Sequence, residues 1–333
     1  MQGISRRWRF PNGQENWKNL LDPLDIDMRR YIIHHDEMAQ ATYDTFKSKK
    51  LSSYAGSTKY SRRNLLARVG LRVILSSTKS ISVPNAFIKK PLASGPWCKE
   101  SNWMGRDILI AWRGTVQAIE WVKDFDFPLV PATKILGKLT GDAKVNSGML
   151  SIYTSNDTQS RYNKTSAQDI LNGQVLSEVR RQVERFKNKE ISITVTGLSL
   201  GAADIVANGY NRPSEKPKNP CPVTAFKFGS PQVGDLNFKE ILLSVKKLHI
   251  LLSVRNKADL VPHYPPVGYT RIGIELLVDS TISPFLKYPG DITWHILEPA
   301  YLHSVAGTKG SEGGFHLEVK RNVCSYKQGF ECS

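Results

Sequence analysis

The chain of 333 residues has only four cysteines, Cys98, Cys221, Cys324 and Cys332, and no Cys-x-x-Cys pair. That spread fits neither a zinc ribbon nor a disulfide scaffold and suits a reducing compartment. Long apolar runs are missing too. The strongest, around Leu248 to Val254, falls far short of the roughly 18 residues that a membrane-spanning helix requires. The opening residues lack an apolar h-region and carry several acidic groups, so neither a secretory signal nor a transit peptide is visible, and the start reads as cytoplasmic. There is no zinc-finger spacing, no aromatic RNP-type strand and no Gly-Lys-Ser/Thr phosphate loop.

Acidic residues are also in short supply, 30 against 46 Lys and Arg, leaving a formal charge of +16. Half of the chain's early basic residues balance acids: residues 1–72 hold fourteen Lys/Arg and seven Asp/Glu. The rest of the excess is scattered, with no dominant basic run. Charge of this kind attracts nucleic acid and anionic lipid alike. Without a nucleic-acid motif, no nucleic-acid partner is expected.

What is present is an alternation of helix-like and strand-like segments. Residues 1–72 read as a helical N-terminal segment packed on the rest, with apolar spacing near 3.6 from Met28 to Phe46. Residues 73–333 read as the main domain, the two together forming one structural unit. The pattern is weak from 73 to 104, then sharpens into the apolar run Ile108–Trp112, which ends at Arg113-Gly114-Thr115. Ser166 and Asp169 resemble a capping box, and Val175, Val179, Val183 and Phe186 mark a helix face. Strand candidates follow at Ile191 to Thr196, Val223 to Phe228 and Leu248 to Val254, with a helix from Leu236 to Lys247 between the last two. A late, Gly-flanked polar strand is expected around His316. The alternation predicts an α/β fold with a mostly parallel sheet flanked by helices.

The chemistry is carried by Gly197-Leu198-Ser199-Leu200-Gly201. A chain this long contains Gly-x-Ser-x-Gly by chance on the order of one time in ten, so its setting decides. A β-branched strand precedes the motif and an apolar helical segment follows it, the arrangement that exposes a serine on a sharp turn where flanking side chains would clash. Ser199 is therefore the candidate nucleophile. A serine hydroxyl needs a histidine to take its proton and a carboxylate to fix the imidazole, in the chain order Ser, acid, His for this kind of sheet. Among Asp204, Asp235, Asp259, Asp279 and Asp291, Asp204 belongs to the helix right after the elbow, whereas Asp259 directly follows the strand Leu248 to Val254 into a loop at the expected edge and is the best acid. His249 falls inside an apolar strand and His316 in the late polar one, which leaves His295 and His303 as candidate bases.

Ala111-Trp-Arg-Gly-Thr-Val-Gln117, Ile191 to Gly201, Asn256-Lys-Ala-Asp-Leu-Val-Pro262 and Trp294 to Gly307, with the opening Leu20 to Thr45, together resemble plant class 3 lipases of the cytosolic phospholipase A1 group. The resemblance runs over nearly the whole chain. It implies an α/β-hydrolase-like fold and a triad of Ser199, Asp259 and His295, with His303 packing nearby as the alternative base. It also implies Thr115 and the N–H of Leu200 as oxyanion donors, and a lid over about Val116 to Phe125. The implied reaction is hydrolysis of the sn-1 ester of a glycerolipid such as phosphatidylcholine at a lipid–water interface, through an acyl-enzyme and without metal or cofactor.

The departures from the family are specific. Leu198 stands where the family usually has histidine, which predicts altered packing at the elbow. Residues are missing after Gly201, between Gly70 and Ser76, and between Gly105 and Arg106, together enough to remove roughly one or two strands. The alternative expectation is therefore a relative that binds lipid surfaces without hydrolysis.

Overall fold

The computed structural model describes residues 7–47, 59–60, 68, 86–89, 107–114, 128–137, 141–156, 166–199, 221–244, 250–285 and 298–319. Among the described residues, six strands form the central sheet: β1 (Ala86–Lys89), β2 (Asp107–Trp112), then β5 (Ser192–Leu198), β6 (Val223–Phe228), β7 (Ile250–Asn256) and β8 (Ile274–Val278), in the spatial order β1-β2-β5-β6-β7-β8. Only β1 runs antiparallel to its neighbour; every other pair is parallel. Strands β3 (Leu129–Pro131) and β4 (Lys144–Asn146) pair as a small antiparallel ribbon. The α/β architecture read from the sequence is thus the one the chain adopts. The points where the family pattern lacks residues, near 70–76, 105–106 and 201–204, lie outside the described residues.

Strand β2 is buried at every position, as its unbroken apolar run requires of a strand covered on both faces. One face of the sheet carries Ile108, Ile110, Ala225 and Leu251 against α2 (Ser147–Thr154), α3 (Ala167–Ile170), α4 (Leu176–Arg185) and α5 (Leu236–Ser244). The predicted capping pair is present: the Asp169 N–H donates to the Ser166 hydroxyl at 3.1 Å. Val175 and Val179 are buried in this core, with Val183 and Phe186 at its margin.

The opposite face carries Phe226, Phe228, Leu252, Val254, Leu276 and Val278 against α1 (Ile26–Asp44), α6 (Glu298–Gly307) and the segment before α1. Asp25 caps α1 by accepting from the N–H groups of Asp27 and Met28. From there, Met28, Tyr31, Ile32 and Ala39 turn to the sheet. Fully burying side chains of this size contributes roughly 1.5–3 kcal/mol each, which is why the helix docks instead of lying in solvent. Polar contacts fix its register. Arg29 is 1% exposed and donates to the carbonyl of Val305 in α6 and to that of Thr308 just past its end. Tyr31 donates to Asn12, the Thr224 hydroxyl donates to the Asn12 carbonyl at 2.6 Å, and Thr196 donates to the His35 carbonyl at 3.0 Å.

Two expectations need correction. Strand β7 extends to Asn256, two residues past the expected end. The segment around His316 is not a strand: Gly313 and Gly314 adopt φ of 71° and 63°, and such left-handed residues break an extended run.

Candidate active site

The parallel strands β5, β6 and β7 deliver their carboxyl ends to one edge of the sheet, and the site is built there. Ser199 is the residue immediately after β5 and adopts φ 56°, a left-handed conformation that a side-chain-bearing residue enters at a cost of order 1 kcal/mol. Two bonds hold it there. Its backbone N–H donates to the Phe228 carbonyl at the end of β6 at 2.9 Å, and the Tyr43 hydroxyl in α1 donates to the Leu198 carbonyl at 3.1 Å. Leu198 is 6% exposed and joins the core beneath α1, so the residue before the serine is spent on packing.

Asp259 lies three residues beyond the end of β7 and is 1% exposed. The loop that carries it is pinned at its root. Asn256 and Ser280 exchange two hydrogen bonds, of 2.8 and 3.0 Å, which tie the end of β7 to the segment after β8. The Asp259 N–H donates back to the Asn256 carbonyl at 3.0 Å. Its two carboxylate oxygens have separate donors: the Val261 N–H at 2.8 Å and the Tyr301 hydroxyl, from α6, at 2.5 Å. Burial pushes the Asp259 carboxyl up to about 7, while the Tyr301 and Val261 hydrogen bonds and the positive field of Arg255 work in the opposite direction. The same carboxylate, with burial as the larger cause, drives Tyr301 well above the ordinary phenol range, so Tyr301 stays a donor.

Gly229 joins these two halves. It follows Phe228, has φ 53°, and its N–H donates to the Val254 carbonyl at 3.2 Å. A Cβ there would lie 3.0 Å from the Asp259 carboxylate and 3.1 Å from the Tyr301 oxygen. Glycine is needed at this point both for its backbone angle and for room beside the acid.

Two competing acids have other work. Asp235 accepts from the Phe238 N–H at the start of α5, and Asp279 accepts from Thr281 and pairs with Lys257 at 3.3 Å. Of the two candidate bases, His303 is 3% exposed on α6, with Nε2 at 2.6 Å from the Ser283 hydroxyl and its ring stacked on Phe315. Burial pulls His303 down to about 4, so it is neutral at physiological pH. His295, Thr115, Leu200 and the expected lid lie outside the described residues. Next to Thr115, the Arg113 guanidinium sits 3.8 Å over the Phe46 ring and donates to the Gly114 carbonyl at 2.9 Å. Tyr301 and Gly229 were not singled out from sequence as contributors to the site. Tyr301 does fall inside the Trp294 to Gly307 segment, two residues before His303, but only the fold shows that it turns toward Asp259.

A serine held at a positive φ between a parallel strand and its successor, with a buried carboxylate two strands along the same edge, is the layout of an α/β hydrolase. The lipase (class 3) family model matches residues 109–269, which include both Ser199 and Asp259. Phospholipase A1-IIgamma of Arabidopsis thaliana is 44% identical, over 96% of this chain and 84% of its own length. Phospholipase A1-II 7 of Oryza sativa subsp. indica is 45% identical, over 99% of this chain and 89% of its own. Among solved structures, the Rhizomucor miehei triacylglyceride lipase is similar with a TM-score of 0.49 and 20% identity, over 76% of this chain and 80% of that one. The chain belongs to the class 3 lipases.

Proposed function

We propose that the protein is a serine acyl ester hydrolase of the phospholipase A1 type, cleaving the sn-1 ester of phosphatidylcholine-like glycerolipids. The observation that carries the reading is the Ser199 elbow: a serine held at φ 56° at the carboxyl end of a parallel strand, with Asp259 buried on the same edge. The phospholipase A1 names of the relatives at 44 and 45% identity support the substrate class.

In this mechanism His295 takes the Ser199 proton as the oxygen attacks the ester carbonyl, and Asp259 holds the imidazole and stabilises its cationic form. The tetrahedral oxyanion is bound by Thr115 and the Leu200 N–H. Collapse releases the lysolipid as His295 returns the proton, and water then attacks the acyl-enzyme by the same route. The chain's basic excess would assist adsorption to anionic lipid surfaces. No observation favours the non-catalytic alternative.

The test is fatty-acid release from phosphatidylcholine vesicles by the purified protein, Ser199→Ala and His295→Ala. Both substitutions should reduce turnover by at least about a thousandfold. Inactive wild type, or full activity in Ser199→Ala, would overturn the reading.

A further inference from the structure

On the sheet face opposite α1, Lys227 of β6 lies in register with Ser253 of β7, which in turn lies beside Glu275 of β8. Lys227 is 5% exposed. Burying an ammonium is costly unless an anion or several hydrogen bonds compensate it. Among the described residues no carboxylate reaches Lys227 within ion-pair distance; the obvious one, Glu275, is already engaged. Arg255 donates to both Glu275 oxygens, each at 3.0 Å, and Arg271 approaches the same carboxylate at 3.8 Å. His263 lies between the two guanidinium groups, at 2.7 Å from Arg255, and burial together with those two charges lowers its pKa, keeping it neutral. Three cations thus face one carboxylate.

Lys227, Arg255, Arg271 and Glu275 line a cavity of about 50 Å³, whose walls also present the hydroxyl-bearing residues Ser230, Ser253 and Thr270. That is space for roughly four waters, the bulk of one phosphate group. Burial draws Lys227 down to about 8, so its ammonium persists at neutral pH.

We propose that this cavity is an anion site that takes a phosphate group, with Lys227 at its floor and Arg255 and Arg271 as its walls. A phosphate would add a direct counter-charge to the longer-range one that Lys227 receives from Glu275, and charge-assisted hydrogen bonds from guanidinium groups suit its oxygens. The phosphate can come from a lipid head group, which rests on the hydrolase reading, or from a soluble phosphate.

Isothermal titration of the full chain with inorganic phosphate, at constant ionic strength, tests the site without requiring catalysis. Its failure is therefore distinguishable from failure of the hydrolase reading. One phosphate per chain is expected for wild type, with affinity weakened at least about tenfold in Lys227→Met and in Arg271→Gln, since losing one charge-assisted contact is worth about that factor. Arg271 is half exposed, so its variant remains informative if Lys227→Met fails to fold. No binding by wild type, or equal binding by wild type and a folded variant, would overturn the proposal.

Initial rates then separate the two sources. If the head group is the ligand, the ratio of kcat/KM on phosphatidylcholine to that on diacylglycerol falls about tenfold in the variants, and inorganic phosphate competes with the phospholipid. If the soluble ion is the ligand, that ratio is unchanged while the variants still lose phosphate binding. Either outcome upholds the site.

Discussion

The Ser199 N–H donates to the Phe228 carbonyl at 2.9 Å while Ser199 itself is held at φ 56°. The strand ladder thus continues one residue past β5 and forces the elbow into a conformation that only glycine enters freely. Replacing the serine by glycine should relieve that strain. Ser199→Gly and Ser199→Ala are both expected to be inactive, with the glycine variant more stable than the alanine one by about 1 kcal/mol. Urea unfolding of the pair measures the difference. Equal midpoints would mean that the elbow is not strained.

The bond from Tyr301 to Asp259 sets a pH dependence. With Asp259 raised to about 7 by burial, the carboxylate form that steadies an imidazolium is gained as pH rises through neutrality, so activity should climb over that range. Tyr301→Phe removes a donor that favours the ionised form, which raises the Asp259 pKa further. The acidic limb of the kcat/KM profile should move to higher pH, with activity at pH 7 lower by roughly tenfold and largely recovered at more alkaline pH. A variant profile that drops equally at all pH values would assign Tyr301 a packing role only.

Gly229→Ala places a methyl group at a residue with φ 53° and against the Asp259 and Tyr301 oxygens. The backbone and contact costs together should destabilise the protein by about 2 kcal/mol. Because the displaced group is the acid, turnover should fall by more than the unfolded fraction explains. Thermal melts and rates measured well below the melting temperature separate the two effects. Activity that tracks folded protein alone would show that the acid can shift without consequence.

The sequence was most legible where one physical demand dominated. Ile108–Trp112 read as a strand because a buried parallel strand needs near-continuous apolar side chains, and Ser199 stood out because the elbow demands flanking glycines. Edge elements were not seen. Strand β8 alternates in burial, with Glu275 and Leu277 turned outward, and β1 is four residues long; neither has the length or uniform apolarity that announces an interior strand. The expected strand around His316 failed because local glycines outweighed its spacing. At the site, Asp259 was legible from its place after a strand, whereas the donors that set its pKa were not. Tyr301 comes from α6, 42 residues downstream, and only the packing of that helix on β7 brings it to the carboxylate.

The contact between His303 and Ser283 separates the two candidate bases by experiment. His303 is neutral in the fold because burial lowers it to about 4, whereas an unfolded chain binds that proton near the ordinary histidine value of about 6.5. Between these two values the unfolded state holds more protons, so stability contributed by neutral His303 is complete above about pH 6.5 and is lost as pH falls toward 4. His303→Gln keeps a hydrogen-bonding group for the Ser283 hydroxyl but cannot titrate. Its unfolding midpoint should therefore decline less steeply than that of wild type between pH 6.5 and 4. At neutral pH the variant should be destabilised by about 1 kcal/mol or more through lost stacking on Phe315, yet its turnover should stay within a few-fold of wild type. A thousandfold loss of turnover in folded His303→Gln, with His295→Ala retaining activity, would move the base to His303 and overturn the triad proposed above.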